Sequence, residues 1–310
     1  MRSERALVAS FTDLVGGTPL VEIPLGHDRP RARVLAKCEQ HNPTGSLKDR
    51  LAPVLLAKAQ HAGASSLVVP SSGNLAVALA LRCAAVKLPI TAVLPATVPI
   101  EMRQLCALYG AKVVESDPER QLAAAILRAN DAARETPGAV VVSAFEGFDP
   151  SAVYAPFAGE ILAALPETRI DAFVVGLGSG ALATGAGRAL KAAEPATRVI
   201  GVEPEGATVF SGGVTGPTKM HDLAPGFVSA SFDPKITDEI RSVSDARAWS
   251  TKLELAARAG LLVGTSSGAA VAVALDVARE LGPGKTVVTV LADTGERYFS
   301  MSSFFSEARS

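Results

Sequence analysis

No uninterrupted apolar run in this sequence reaches the roughly 18 residues that a membrane span needs. An excess of one charge is missing too: 30 basic and 31 acidic residues leave a net charge of −1, which gives no footprint for nucleic acid or an acidic membrane surface. Cysteine is scarce. Cys38, Cys83 and Cys106 are odd in number, far apart and without a CxxC pair. That excludes a disulfide framework and points to a reduced, cytoplasmic chain in which they act as small hydrophobes. His27, His41, His61 and His221 show no ligand spacing, so no metal site is expected. The first residues, MRSERALVASFTDL, have a charged end but no apolar core or cleavage site, and no targeting peptide is expected. No low-complexity segment and no repeat of fixed period is present.

What is there is a globular composition, 48% hydrophobic and 20% charged over 310 residues, enough for one large domain or two lobes. Short β-branched runs alternate with longer alanine- and leucine-rich segments. The pattern predicts strands at 65–70, 88–95, 111–116, 139–145, 171–177, 197–204 and 285–293. It predicts helices at 75–86, 100–110, 119–134, 154–165, 181–194, 245–259 and 268–281. Strands alternating with crossover helices imply parallel sheets covered on both faces, an α/β class. A boundary near 146–152, in EGFDPSA, fits two such lobes. Ligands in these folds sit beyond the carboxyl ends of strands, so the informative loops are those that follow strands.

Three such loops stand out. In VVGLGSGALATGAGRAL (174–190), a strand runs through Gly178, Ser179, Gly180, Ala181 and Leu182 into a helix. Glycines permit a tight turn and close backbone approach, and the helix start offers free N–H groups to a phosphate. The same loop also fits a dinucleotide pattern through Gly176, Gly178 and Ala181, with Glu203 placed as the ribose-binding acid of an NAD-dependent dehydrogenase. In PSSGNLAVALA (70–80), Ser71, Ser72, Gly73 and Asn74 precede a helix; they read as helix caps or as a cradle for a carboxylate. In LLVGTSSGAAVAVAL (261–275), Gly and Ser again lead into a helix. A fourth stretch, NPTGSLKDR (42–50), puts Lys48 at a helix start, where the dipole disfavours a cation. With partial burial that favours the neutral amine, the form that condenses with an aldehyde. Read alone, Lys48 is a solvated charge beside Asp49. Read with the three loops, it fits a ligand bearing an aldehyde, a phosphate, a ring nitrogen and an amino-acid carboxylate, the demands of pyridoxal 5′-phosphate with its substrate.

Six segments in order resemble the cysteine synthase and cystathionine β-synthase group of fold type II pyridoxal-phosphate enzymes, which are tryptophan synthase β-like: GGTPLVEI (16–23), NPTGSLKDR, SSGN (71–74), GSGAL (178–182), GTSSGAA (264–270) and DTGERYFS (293–300). The resemblance implies two open three-layer α/β/α lobes with mainly parallel sheets. Residues 46–150 form the smaller one, and 1–45 with 151–310 the larger, with the active site between them. It implies Lys48 as the Schiff-base lysine and Asn74 as partner of the cofactor's phenolic oxygen. Gly178, Ser179, Gly180, Ala181 and Leu182 fall on the phosphate loop, and Ser266 faces the ring nitrogen. Ser71, Ser72, Gly73, Asn74, Leu75 and Ala144 fall on the substrate side. The implied reaction is β-replacement on O-acetyl- or O-phospho-L-serine through an aminoacrylate, with sulfide as the first nucleophile to consider. An amine nucleophile giving a 2,3-diaminopropionate-type product is the alternative, and a serine/threonine dehydratase or threonine synthase a further one. The implied partners are a small amino acid and a small nucleophile, and a homodimer is expected.

The departures fall mostly on the substrate side. Leu75 stands where the family usually has threonine, Ala144 where it has glutamine, and Leu182 where the phosphate loop ends in threonine. Glu146-Gly147-Phe148-Asp149 replace Asn-Pro-Ala-Asn, and KMHDLAP (219–225) stands where the family is glycine-rich. Pro53 kinks a helix that begins at Ser46, or else the helix begins near Pro53 and Lys48 lies on a lead-in turn. Lys219 and Arg297 are read either as partners for a phosphoserine phosphate or as surface and structural charges.

Overall fold

The computed structural model describes residues 8–25 and 31–301. The expectations placed on residues 1–7, on His27 and on the last nine residues fall outside these. Among the described residues ten strands form two sheets. The smaller contains β3 (Ser66–Pro70), β4 (Ile90–Pro95), β5 (Lys112–Ser116) and β6 (Ala139–Val141), in the order β5-β4-β3-β6, all parallel. The larger contains β1 (Leu20–Glu22), β2 (Arg33–Cys38), β7 (Ala172–Gly176), β8 (Arg198–Pro204), β9 (Glu239–Val243) and β10 (Thr286–Leu291). Its order is β1-β2-β10-β7-β8-β9, parallel except for the antiparallel edge strand β1.

The helices are α1 (Ala52–His61), α2 (Asn74–Val86), α3 (Ile100–Leu108), α4 (Gln121–Arg134), α5 (Pro150–Ala164), α6 (Ala181–Ala193), α7 (Asp245–Ala259) and α8 (Thr265–Leu281). α2 and α8 are buried along most of their length, as helices that pack between sheet and neighbouring helices must be. The central strands β7 and β10 are buried throughout or nearly so, which is why they read as unbroken apolar runs. Among the described residues no helix is long and apolar enough to cross a membrane. Cys38, Cys83 and Cys106 are free and buried, and burial pushes their thiols up to about 11, 12 and 12.

Several elements differ from the sequence reading. The strand expected at 139–145 ends at Val141. β6 is an edge strand with β3 as its only neighbour, and β3 ends at Pro70, which has no N–H to offer. The chain therefore leaves the sheet and carries Ala144 and Phe145 toward the cleft. α5 begins at Pro150, four residues earlier than 154, because Asp149 caps it by accepting from Ser151 N at 2.9 Å and Pro150 fits the first turn. α8 begins at Thr265, so Ser266 lies in its first turn. β1, β2 and β9 are additional strands.

Candidate active site

Lys48 comes to the cleft on a short turn, not on a long helix. Asn42 to Gly45 form a tight turn closed by Gly45 N donating to Asn42 O at 2.7 Å. Ser46 caps a 3-10 turn at Leu47–Arg50, and Leu47 N donates to Ala292 O at 2.8 Å, pinning this turn to the end of β10. α1 starts only at Ala52, with Pro53 in its first turn, where a missing N–H costs nothing. The helix-dipole argument for Lys48 is thereby corrected. Its amine is shifted down by burial, while the Asp222 and Asp293 carboxylates pull it back up. Nor is Asp49 its partner. Asp49 is buried and accepts from Thr44 N and Thr44 Oγ1 at 2.9 and 2.8 Å, which shapes the turn.

The turn is anchored by a buried charge network. Arg50 is 7% exposed and Glu39 0%. Arg50 Nε and Nη2 reach Glu39 Oε2 and Oε1 at 2.7 and 2.9 Å, and Nη1 and Nη2 reach Glu160 Oε1 and Oε2, both at 2.8 Å. Lys37 adds a second cation, 2.6 Å from Glu160.

Lys48 lines a cleft of about 870 Å³, part of it open to solvent, into which the carboxyl ends of both sheets point. Ser71, Ser72, Asn74 and Leu75 enter from the β3–α2 loop, and Ala144 from beyond β6. Gly178, Ser179 and Leu182 enter from the β7–α6 loop, and Ser266 from the first turn of α8. Gly73 belongs to the same β3–α2 loop, and its φ of +128° is a conformation that residues with a side chain rarely adopt. Gly180 (φ +74°) caps α6, and Ala181 is its first residue. The sequence-predicted site residues are thus brought to one cleft or to the loops that line it.

Sequence reasoning missed three residues. Asp222, on a 3-10 turn at His221–Leu223, lines the cleft and accepts from Ser72 Oγ at 2.7 Å and Asn74 Nδ2 at 3.1 Å. Asp293, 0% exposed, accepts from the same Asn74 Nδ2 at 2.7 Å and from the Tyr298 hydroxyl at 2.5 Å. Burial, and then the neighbouring Asp222 charge, push Asp293 up to about 6. Burial and both carboxylates hold the Tyr298 phenol well above its usual range. In the sequence, Asp222 shows only as part of the departure of KMHDLAP from a glycine-rich loop, and Asp293 and Tyr298 only as members of the DTGERYFS segment. Arg297 is neither a surface charge nor a cleft residue: it is buried and donates to Asn74 Oδ1 from behind. Lys219 lines a smaller pocket beside the cleft, with Ser72, Asp222 and Tyr298.

The residues present fit pyridoxal phosphate. A Cβ on Gly178 would lie 2.4 Å from the Asp222 carbonyl oxygen, and one on Gly180 2.6 Å from Phe232, so this turn is built of residues that admit nothing larger. It opens onto the amino end of α6, which suits a phosphate. The lowered Lys48 amine suits an aldehyde, and the Ser266 hydroxyl lines the same cleft. The dinucleotide reading fares worse. Glu203 is fully enclosed and accepts from Phe210 N at 3.0 Å and from the Ser211 hydroxyl, so the loop after β8 consumes the acid that a ribose would need.

A buried lysine and a glycine-rich turn lining one cleft between two α/β sheets fit a fold type II pyridoxal-phosphate enzyme, and the family profile described as "Pyridoxal-phosphate dependent enzyme" matches residues 11–293. The chain belongs to this family. It is 38% identical over 301 residues to a protein named "Probable cysteine synthase" from Bacillus subtilis (strain 168), covering 95% of this chain and 97% of that one. It is 37% identical to the cysteine synthase of Staphylococcus aureus (strain Mu50), covering 94% and 96%. Its structure resembles the O-acetylserine dependent cystathionine β-synthase from Helicobacter pylori with a TM-score of 0.89, 34% identity and coverage of 95% and 98%. It also resembles O-ureido-L-serine synthase with a TM-score of 0.89, 32% identity and coverage of 98% and 96%.

Proposed function

We propose that this enzyme carries out pyridoxal-phosphate-dependent β-replacement on O-acetyl-L-serine, with sulfide as the nucleophile. The observation that carries the reading is the convergence of Lys48, the glycine turn before α6, Ser266 and the Ser71–Asn74 loop on one cleft, in a chain whose relatives are cysteine synthases. When bound, the cofactor withdraws electrons from the amino acid, so that a Cα proton and then a Cβ substituent can leave.

The chain's own residues divide the remaining work. The small turn of Gly178, Ser179, Gly180, Ala181 and Leu182 holds the phosphate on the N–H groups that open α6. Lys48 first holds the cofactor. Once displaced, its Nζ takes the Cα proton, and burial keeps that amine ready to accept it. Asn74, fixed by Arg297, would meet the cofactor's phenolic oxygen, and Ser266 would offer a neutral hydroxyl to its ring nitrogen. Ser71, Ser72, Gly73 and Asn74, on the lobe of residues 46–150, meet the substrate carboxylate. Leu75 and Ala144 present apolar walls there and add no hydrogen bond.

Acetate is favoured over phosphate as leaving group because Lys48 is the only cation among the described residues that line the cleft. Titrating the holoenzyme with O-acetyl-L-serine and O-phospho-L-serine, following cofactor absorption and released acetate or phosphate, tests this. Acetate release and L-cysteine formation on adding sulfide are expected. Release of a keto acid instead, or no spectral response to either serine ester, would sink the reading.

A further inference from the structure

The loop expected to grip a substrate carboxylate already grips one. Asp222 lies 148 residues from Asn74 in sequence. Yet its Oδ1 accepts from the Ser72 hydroxyl at 2.7 Å and its Oδ2 from the Asn74 amide at 3.1 Å. Two donors on one loop thus meet the two oxygens of one carboxylate. We propose that Asp222 is a specificity-determining residue that occupies the carboxylate cradle of this cleft and must be displaced when an amino acid binds. The proposal rests on the reading of the cleft as an amino-acid site given above.

Several of the cradle's donors are already engaged. Ser71 Oγ already accepts from Gly73 N at 3.0 Å and from Ala76 N at 3.3 Å, which commits those backbone donors. Leu75 and Ala144 bring no polar atom. Two of the loop's side-chain donors, Ser72 Oγ and Asn74 Nδ2, both reach Asp222. A substrate carboxylate that draws on the Ser72 hydroxyl therefore competes with the Asp222 carboxylate for it, and meets that negative charge in the cradle.

Asp222 is also built to yield. Its Oδ2 shares the Asn74 amide with Asp293 Oδ2, which sits closer, at 2.7 Å against 3.1 Å. The Tyr298 hydroxyl has one hydrogen and lies 2.5 Å from Asp293 and 3.0 Å from Asp222, so Asp293 again holds the shorter contact. Two like charges around one amide repel. The backbone of Asp222 is packed against Gly178, where a Cβ would be only 2.4 Å from its carbonyl oxygen. The side chain can rotate out of the cradle while that backbone contact stays, which leaves the phosphate turn in place.

The test uses the holoenzyme and two ligands without a leaving group: L-alanine, which brings a carboxylate, and L-alaninamide, which does not. Both are titrated by the cofactor's visible absorption against wild type, Asp222→Ala and Asp222→Asn. Apparent affinity falls by the fraction of molecules whose site is competent, so if the cradle stands free in about a tenth of wild-type molecules, Asp222→Ala binds L-alanine about tenfold tighter. L-alaninamide should not change. The uncharged but near-isosteric Asp222→Asn should also tighten L-alanine, by less, and it carries the test if Asp222→Ala does not fold. L-alanine affinity that stays the same or weakens, or both ligands shifting together, overturns the proposal. The ratio of the two affinities decides this point alone. Acetate release from O-acetyl-L-serine by wild type separately decides the β-replacement reading.

Discussion

Removing the guanidinium two residues beyond Lys48 should destabilise the protein by an amount the network allows one to work out. Arg50 meets Glu39 and Glu160 through four hydrogen bonds of 2.7–2.9 Å. In Arg50→Met, Glu39 keeps only the Thr18 hydroxyl at 2.6 Å and the Asn42 amide at 2.8 Å, and stays 0% exposed. Breaking a buried pair by deleting one partner costs about 3–5 kcal/mol. Lys37 still serves Glu160 at 2.6 Å, which places the cost at the lower end. Burial alone would push Glu160 up, but hydrogen bonds from Arg50 and then Lys37 override it and hold the carboxyl at about 2 against an ordinary 4.5. That drop is worth ~3 kcal/mol, shared between the two cations. A depressed carboxylate pKa stabilises above the unfolded value and loses that contribution as pH falls toward the folded one. The wild-type advantage should therefore shrink between about pH 5 and pH 2. Urea unfolding of the cofactor-free protein at pH 7 and pH 3 measures both effects. The double variant Arg50→Met/Glu39→Leu removes the stranded charge as well and should recover part of the loss. A single variant within ~0.5 kcal/mol of wild type at pH 7, below the range for a broken buried pair, would refute this account. A double variant less stable than the single one would refute it too.

Gly178→Ala should weaken cofactor retention and cost about 1–3 kcal/mol, because the new methyl must push the Asp222 carbonyl away from 2.4 Å. Dialysis followed by absorption spectroscopy would show it, and unchanged retention would contradict the packing argument. Pro53→Ala should move stability by less than about 1 kcal/mol, since this proline sits in the first turn of α1 and breaks no hydrogen bond; a larger loss in urea would mean that it shapes the Lys48 turn. Asp293, raised by burial to about 6 from an ordinary 3.8, contributes stability that is complete below about pH 4 and is lost as pH rises through 6. Asp293→Asn stays neutral throughout, so its melting temperature relative to wild type should climb between pH 4.5 and about 7.5, and a constant difference would show that Asp293 does not titrate there.

The parts of the fold that were legible in the sequence are those whose signal is local. β7 and β10 are buried almost throughout, so they read as apolar runs, and the loops after β3 and β7 carry their glycines and serines within a few residues. β2 hides because RVLAKC contains Lys37, which looks solvated but is 1% exposed and paired with Glu160. β9 hides because EIRSV is an edge strand whose Glu239 and Arg241 pair with each other. Asp49 misled by adjacency: it is next to Lys48 in the chain, but the turn directs it back to Thr44. Asp222, Asp293 and Tyr298 meet Asn74 only through the packing of the two sheets, and no spacing rule links residues 148 and 219 positions apart.

The same distinction bears on how this cleft sets its specificity. The cofactor side is written in short contiguous motifs, where one change, such as a Cβ at Gly178, collides with backbone. The substrate side is assembled from three separate loops that contribute Leu75, Ala144 and Asp222 to one wall of the cleft. Leu75 lies in the first turn of α2, where Ser71 Oγ accepts from Ala76 N, Ala144 lies in a segment where Ser143 Oγ accepts from Phe145 N, and the backbone of Asp222 lies against Gly178. Of the three, Asp222 is the side chain least committed to the core, since Leu75 and Ala144 pack in the main hydrophobic cluster. Substitution of the half-buried Asp222 should therefore move substrate affinity more than stability, whereas Leu75 and Ala144, 2% and 5% exposed in the core, carry a folding cost as Arg50 does.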